Sequence, residues 1–253
     1  MEAREGKRSY CIRMAVLDDL LASLEGDSPV RSVNVGVHCT AVVSRAGGLA
    51  ATAPWGASHT SHGVRGAGEL HLRTARELAA CATSENTVEA SIGIAAINSL
   101  LEVPRGARRE VNGRTILMEK ARGRRVALVG HFPFVAELRE KAGTLWVLEL
   151  RPGAGDYPAD AAPVIVPEAD ILAVTGSALV NHTLDGLLAL ARPGAFVMLM
   201  GPSTPLSPVL FDHGVDVVAG AVIEDEARAI PALTQGASFR RLPGLAMYAF
   251  GAI

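Results

Sequence analysis

Between Asp170 and Pro208 the chain alternates short apolar runs with polar loops in an order that few folds accommodate. Asp170-Ile171-Leu172-Ala173-Val174 leads into Thr175-Gly176-Ser177. Leu184, Leu187, Leu188 and Ala191 then recur at helical spacing. The run Ala195-Phe196-Val197-Met198-Leu199-Met200 follows and stops at Gly201-Pro202-Ser203-Thr204-Pro205. Apolar runs this short, with no alternation, predict parallel strands buried on both faces and joined by a helix. Both hydroxyl-bearing loops leave the carboxyl ends of their strands, the edge where open parallel sheets bind ligands.

The same rhythm extends over the back half. Val126–Val129, Leu145–Leu150, Val215–Val218 and Leu245–Phe250 read as strands, and Pro163–Val166 as a short one. Val135–Ala142 and Glu224–Leu233 read as helices. The alternation predicts an α/β fold with a doubly wound, mostly parallel sheet. The front half reads differently. Leu17, Leu20, Leu21 and Leu24 form one helical face, and Val33, Val35 and Val37 then alternate with period two. Ala41–Val43 and Leu49–Ala51 flank Gly47-Gly48, which predicts a small antiparallel meander with a glycine turn. Pro54–Gly68 reads as a loop and Glu69–Ala80 as helical. Ser84 is placed to cap a long helix with Glu85 in its first turn. That helix, Thr87 to Leu101, is apolar nearly all round, yet Thr87, Ser91 and Asn98 fall on one line at ~100° per residue. Asn98 therefore either bonds between domains or faces a ligand. The charged, glycine-dotted stretch from Arg105 to Arg125 marks the boundary, giving domains at 1–120 and 121–253.

Composition narrows the partners. A net charge of -2 without blocks offers nucleic acid and anionic membrane no footprint. No apolar run approaches the ~20 residues of a bilayer span, and Met1-Glu2-Ala3-Arg4-Glu5 lacks the core of a signal peptide. Cys11, Cys39 and Cys81 are three, without paired spacing, which fits reduced thiols in the cytoplasm. The expected partner is a small-molecule ligand, free or as a metal complex, and a homo-oligomer is compatible with this pattern.

The loops limit the chemistry. Gly130-His131-Phe132-Pro133 sits where a dinucleotide fold places its glycine-rich turn, with Glu149 near the position of the ribose-binding acid. One glycine stands where three are needed, and Pro133 removes an N–H from the cradle, so the pattern argues against NAD. S-adenosylmethionine, which needs the acid but no phosphate cradle, stays open as an alternative, in a methyltransferase-like enzyme. Neither hydroxyl loop has the G-x-S-x-G elbow of a nucleophilic serine, so Thr175, Ser177, Ser203 and Thr204 read as donors to a carboxylate or carbonyl. Asn181 reads as the cap of the following helix. Lys7, Lys120 and Lys141 are the only lysines, and neither Lys120 nor Lys141 follows a sheet strand as a Schiff-base lysine would. His59 and His62 are loosely spaced for a metal pair. His38, His131 and His182 each stand beside a candidate loop, as ligands or as acid–base groups.

Several phrases recur together: Ser84-Glu85-Asn86 before Gly93-Ile94-Ala95-Ala96-Ile97-Asn98, then Val129-Gly130-His131-Phe132-Pro133, Gly155-Asp156-Tyr157-Pro158, Thr175-Gly176-Ser177-Ala178-Leu179-Val180-Asn181-His182-Thr183 and Gly201-Pro202-Ser203-Thr204-Pro205. In this order they resemble the bacterial and archaeal family of heavy-metal chelation proteins. The resemblance covers both halves. It implies a domain similar to the enolase N-terminal fold, then a Rossmann-like domain, with a cleft between them. It also implies condensation or hydrolysis in making pterins, flavins or metal-binding small molecules, with a non-catalytic metal carrier as an alternative. Carried over by position, it points to Asn86, Asn98, Gly130, Phe132, Asp156, Thr175, Gly176, Ser177, Asn181, Ser203 and Thr204 as ligand-binding residues. Glu85 and Glu149 are the acid–base candidates if the protein is an enzyme, because a closed cleft raises a carboxyl pKa toward neutrality. No cofactor and no metal ligand set is assigned.

Overall fold

The structure is a computed structural model and describes residues 14–52, 63–102 and 108–253. Cys11, His59, His62, Pro54 and the N-terminal pentapeptide lie outside the described residues.

In the front half, α1 (Ala15–Ala22) precedes the meander β1 (Ser32–Val35), β2 (Cys39–Val43) and β3 (Gly47–Ala51). A 3-10 turn and α2 (Ala75–Ala79) lead to α3 (Thr87–Leu100). Thr74 and Glu77 form a reciprocal capping box at the start of α2. In the back half come β4 (Arg109–Glu110), α4 (Gly113–Lys120), β5 (Arg125–Val129), α5 (Val135–Lys141), β6 (Thr144–Glu149), β7 (Tyr157–Pro158) and α6 (Ala162–Ile165). Then follow β8 (Ile171–Thr175), α7 (Ser177–Val180), α8 (Leu184–Ala189), β9 (Phe196–Met200), α9 (Val209–Asp212), β10 (Val217–Ile223), α10 (Glu226–Thr234) and β11 (Leu245–Gly251).

Among the described residues one sheet holds all eleven strands, in the order β1-β2-β3-β10-β9-β8-β5-β6-β7, with β11 on β10 and β4 on β11. The run from β10 to β7 is parallel throughout, as the buried apolar runs require. Its side chains divide by the period of two. Leu172 and Val174 of β8 join the core beneath α1, α3 and α8, while Ile171 and Ala173 face the core under α4 and α5. Both faces are therefore covered by helices, the α/β architecture that the alternation predicts. No helix among the described residues is long and apolar enough to cross a membrane.

The register at β10 joins the two halves. Within β10, β9 pairs with Val217–Ala219, ending at Met200. β10 runs on to Ile223, paired with β11 all the way, and at Ile223 it meets Gly47 of β3. The front meander thus continues the sheet beyond the carboxyl end of β9 and sits over the loops of that edge. Two glycines make the approach feasible. A Cβ on Gly220 would stand 2.6 Å from the Thr204 carbonyl, and one on Gly176 would stand 2.6 Å from the Thr204 amide nitrogen.

Four local readings change. Gly47 and Gly48 belong to β3, and the turn is the preceding segment. The reason is packing: α3 lies so close that a Cβ on Gly48 would be 2.0 Å from the Ala95 carbonyl oxygen. Pro163–Val166 is helical, because Pro163 occupies the first turn of α6, where its missing N–H costs nothing. The N-cap of α3 is Asn86, whose Oδ1 accepts from the Val88 and Glu89 amides; Ser84 bonds instead to Glu89, the first-turn acid. Thr183 holds the N-cap position of α8, and Asn181 supports it by accepting from the Thr183 amide and hydroxyl.

Gly48→Ala is expected to cost ~3 kcal/mol by forcing α3 off the meander. The urea midpoint should fall at an unchanged slope. Gly186, in α8, has no atom within 4 Å of its ideal Cβ. Gly186→Ala should therefore raise stability by ~0.5–1 kcal/mol and serve as the control.

Candidate functional site

The carboxyl-edge loops are fastened by short polar contacts, and these decide which expected residues remain available. At the tip of β9, Ser203 is fully buried and its Oγ accepts the Ala51 amide at 2.8 Å, tying the loop to β3. Thr204 lies beside it, buried, with an Oγ1 that has no partner among the described residues. Asn98 donates from Nδ2 to the Leu49 carbonyl at 2.8 Å, and its Oδ1 is buried without a partner among the described residues. Asn98 thus holds α3 to β3, and with Thr204 it also lines a cleft of about 690 Å³ near the start of that strand. At the tip of β8, the Gly176 amide donates to Met200, and Thr175 Oγ1 accepts the Ser177 amide at 3.3 Å while donating to the Ser177 hydroxyl.

The tips of β5 and β6 form a second group. Gly130 has φ +101° and packs on Thr175, a left-handed backbone that favours glycine. One oxygen of Glu149 accepts the His131 amide at 2.5 Å and the other accepts the Leu150 amide at 3.1 Å. Asp156 accepts from His131 Nδ1 at 2.9 Å and from the Gly153 amide at 3.1 Å, both at Oδ2. Its side chain is 3% exposed, and Oδ1 is buried without a partner among the described residues.

Glu85, at the start of α3, is exposed; Asn86 caps the helix and donates to the Gly63 carbonyl. The buried acid of this region is Glu89, 3% exposed, which sequence reasoning missed. It accepts from the Arg65 amide and guanidinium and from Ser84. Burial raises its pKa, but the bonds from Arg65 and Ser84 outweigh burial and bring it down to about 2. Ser84, five residues before Glu89, was the available signal, and capping was the competing explanation for it.

A cleft of about 850 Å³ lies between the halves. His38, Cys39 and Ala51 come from the front half. Phe132 and Phe134 follow β5, Gly201 and Pro202 follow β9, and Phe239 and Arg240 lie between α10 and β11. Phe132 and Phe134 are stacked, with centroids 5.3 Å apart and planes at 27°. Arg114, also on the wall, is paired with Glu137, whereas Arg240 is exposed and has no ion pair among the described residues. Of the expected ligand-binding residues only Phe132 lines this cleft; Glu85, Glu149, Asp156, Asn181 and the Thr175–Ser177 loop stand elsewhere.

For a metal ion the described donors are sparse. No three His, Cys, Asp or Glu side chains among the described residues gather around one point. Cys39, on the cleft wall, is buried, and burial pushes its thiol up to about 11, away from the thiolate that metals bind. Burial likewise raises Cys81.

A family model described as "Putative heavy-metal chelation" matches residues 114–250, and a second with the same description matches residues 17–101. An uncharacterised protein of Methanocaldococcus jannaschii is 28% identical over 158 residues, which span 59% of this chain and 60% of that protein's length. A crystal structure of a DUF364-family protein from Desulfitobacterium hafniense superposes with a TM-score of 0.84 at 29% identity, covering 94% of this chain and 98% of its own. One from Pyrococcus horikoshii gives 0.78 at 22% identity over the same shares, a likeness of fold alone.

Glu89 sets a pH dependence. Its folded pKa of about 2 lies below the ordinary 4.5, so the stability it contributes is present above pH 4.5 and is lost as pH falls toward 2. The stability gap between wild type and Glu89→Gln should be as much as ~3 kcal/mol at pH 6 and should close across that window. Denaturant titrations at several pH values measure it.

Proposed function

Because the chain belongs to the DUF364 family, described as "Putative heavy-metal chelation", we propose that it binds a planar, anionic small molecule able to hold a metal ion, in the cleft between its halves. The chemical class is that of a pterin, a flavin or an aromatic metallophore precursor. The observation that carries this reading is the cleft wall itself. It combines the stacked pair Phe132 and Phe134, the Phe239 ring and the guanidinium of Arg240, which has no ion pair among the described residues. Aromatic faces favour a flat π-system by offset stacking, and a free guanidinium on the wall favours a carboxylate or phenolate. Such a molecule keeps its own oxygen donors for the metal.

The metal enters this reading as cargo. The neutral Cys39 thiol and the lack of a three-donor group among the described residues disfavour a bare ion held by these side chains alone. A molecule that already wraps most of the coordination sphere asks the protein for shape and charge, which the cleft supplies. His38, on the same wall, is exposed and faces the solvent side of that volume as an additional hydrogen-bonding group.

The probe is 2,3-dihydroxybenzoate, a planar chelating anion, titrated calorimetrically with and without ferric ion. Binding near one per chain is expected. Phe132→Ala should weaken it about fivefold to tenfold through lost stacking, and Arg240→Gln should weaken it while raising its salt independence. No heat from the folded protein with this probe, a pterin carboxylate or flavin mononucleotide, or binding that ignores Phe132→Ala, would overturn the reading.

A further inference from the structure

The loop after β5 faces two ways. Phe132 lines the cleft, whereas His131, one residue earlier, turns to Asp156 on the loop after β6. We propose that His131 Nε2 is an open coordination position for a divalent metal ion that arrives with most of its other positions filled by a small chelator. Asp156 is the positioning residue. The inference rests on the metal half of the functional reading and not on the cleft.

The tautomer follows from the partner. An ionised carboxylate only accepts, so the His131 Nδ1 facing Asp156 Oδ2 at 2.9 Å carries the proton. The neutral ring then has its lone pair on Nε2, which has no partner among the described residues. A carboxylate behind the distal nitrogen fixes ring orientation and raises the basicity of the ligating nitrogen. Asp156 is well suited to this task. Its Oδ1 is buried with no hydrogen-bond partner among the described residues, so the carboxyl group is only partly satisfied by His131 and the Gly153 amide. Metal binding puts positive charge on the imidazole and completes that pairing.

Exposure separates this pair from a structural tie. In His131–Asp156 the imidazole is 49% exposed and the carboxylate 3%. In His213–Asp19, which crosses between α9 and α1, the imidazole is 18% exposed and the carboxylate 62%. A pair that only fastened two elements together would bury its ring, as His213 does. His131 buries the acid and presents the base. The loop is also held rigid beneath it, because Glu149 accepts the His131 amide at 2.5 Å. That bond and the one from Leu150 engage both Glu149 oxygens with backbone amides, and His131 Nε2 is the ring nitrogen this loop leaves exposed.

The test uses the full chain labelled with ¹⁵N-histidine, and copper(II) iminodiacetate, a complex with an open position for imidazole. In the free protein, ¹⁵N shifts should place the His131 proton on Nδ1. Substoichiometric complex should broaden His131 before His38 and His71. His131→Gln should remove this tight phase, and His213→Gln should leave it in place. Asp156→Asn should weaken it by about tenfold to a hundredfold, with other resonances unmoved. A proton on Nε2 in the free protein, His131 binding no tighter than His38, or an affinity indifferent to Asp156→Asn would overturn the proposal. Should Asp156→Asn fail to fold, the wild-type tautomer and His131→Gln decide alone. The 2,3-dihydroxybenzoate titration reads the cleft through Phe132 and this one reads the imidazole, so either can fail without the other.

Discussion

The structure depends on how closely the tip of β9 enters the front half. β10 outruns β9 by four residues, from Gly220 to Ile223, and this overhang is where Gly47 joins the sheet. The overhang is usable only because Gly220 and Gly176 let the Thr204 backbone pass where any side chain would collide. The Ala51 amide then finds Ser203 Oγ, a buried donor satisfied by a buried hydroxyl at a cost lower than leaving either alone. The front meander, α3 and the parallel sheet consequently share one continuous core. The cleft exists because the two halves touch at this junction and part beside it, toward Phe132 and Phe239.

That junction explains which features the sequence displayed and which it concealed. Buried parallel strands were legible in Ile171–Thr175 and Phe196–Met200, because burial on both faces writes an unbroken apolar run. α3 was legible from its composition alone. Gly48 was not, since a glycine that admits a helix backbone looks like one that makes a turn. α4 was hidden by its charges: Ile116 and Leu117 are its buried anchors, and Arg114, Glu119 and Lys120 dominate the rest. Asn86 and Ser84 both carry cap-competent side chains two residues apart, and only the burial of Glu89 decides that Ser84 serves the acid. The hydroxyl loops were correctly placed at the carboxyl edge. Ser203 nevertheless serves as a buried tie, because a sequence shows a hydroxyl's position in a loop and not the partner that claims it.

Carboxylates recur as organisers of loop backbone. Asp216 accepts the Val197 amide at 2.7 Å, Asp170 accepts the Arg125 amide at 2.8 Å, Asp225 caps α10, and Glu149 and Glu89 hold the amides of His131 and Arg65. Each satisfies an N–H at a strand end, a helix end or a turn that secondary structure leaves orphaned. Asp170 also gathers the side chains of Arg125 and Arg192, and the Arg125 guanidinium beside it holds its carboxyl well below the usual range. Acids bound this way are held in place by backbone amides, which suits them to support neighbouring groups.

Asp156 departs from that pattern in one respect. It too accepts a loop amide, from Gly153, but its other partner is an exposed side chain, and one of its oxygens is left without a bond. A protein that grips a bare soft metal needs several converging donors, and these are missing among the described residues. Recognising a metal already enclosed by a small molecule asks for less. On our proposal the aromatic and cationic cleft would take a planar organic ligand, and the His131 imidazole, outside that cleft, would take the open position of a chelated metal. Phe132 and His131 hold adjacent positions on one loop, made rigid by Glu149 below and by the Gly130–Thr175 contact beside it. One step along the chain at the carboxyl edge of β5 thus turns the two side chains to different surroundings, Phe132 to the cleft and His131 to Asp156.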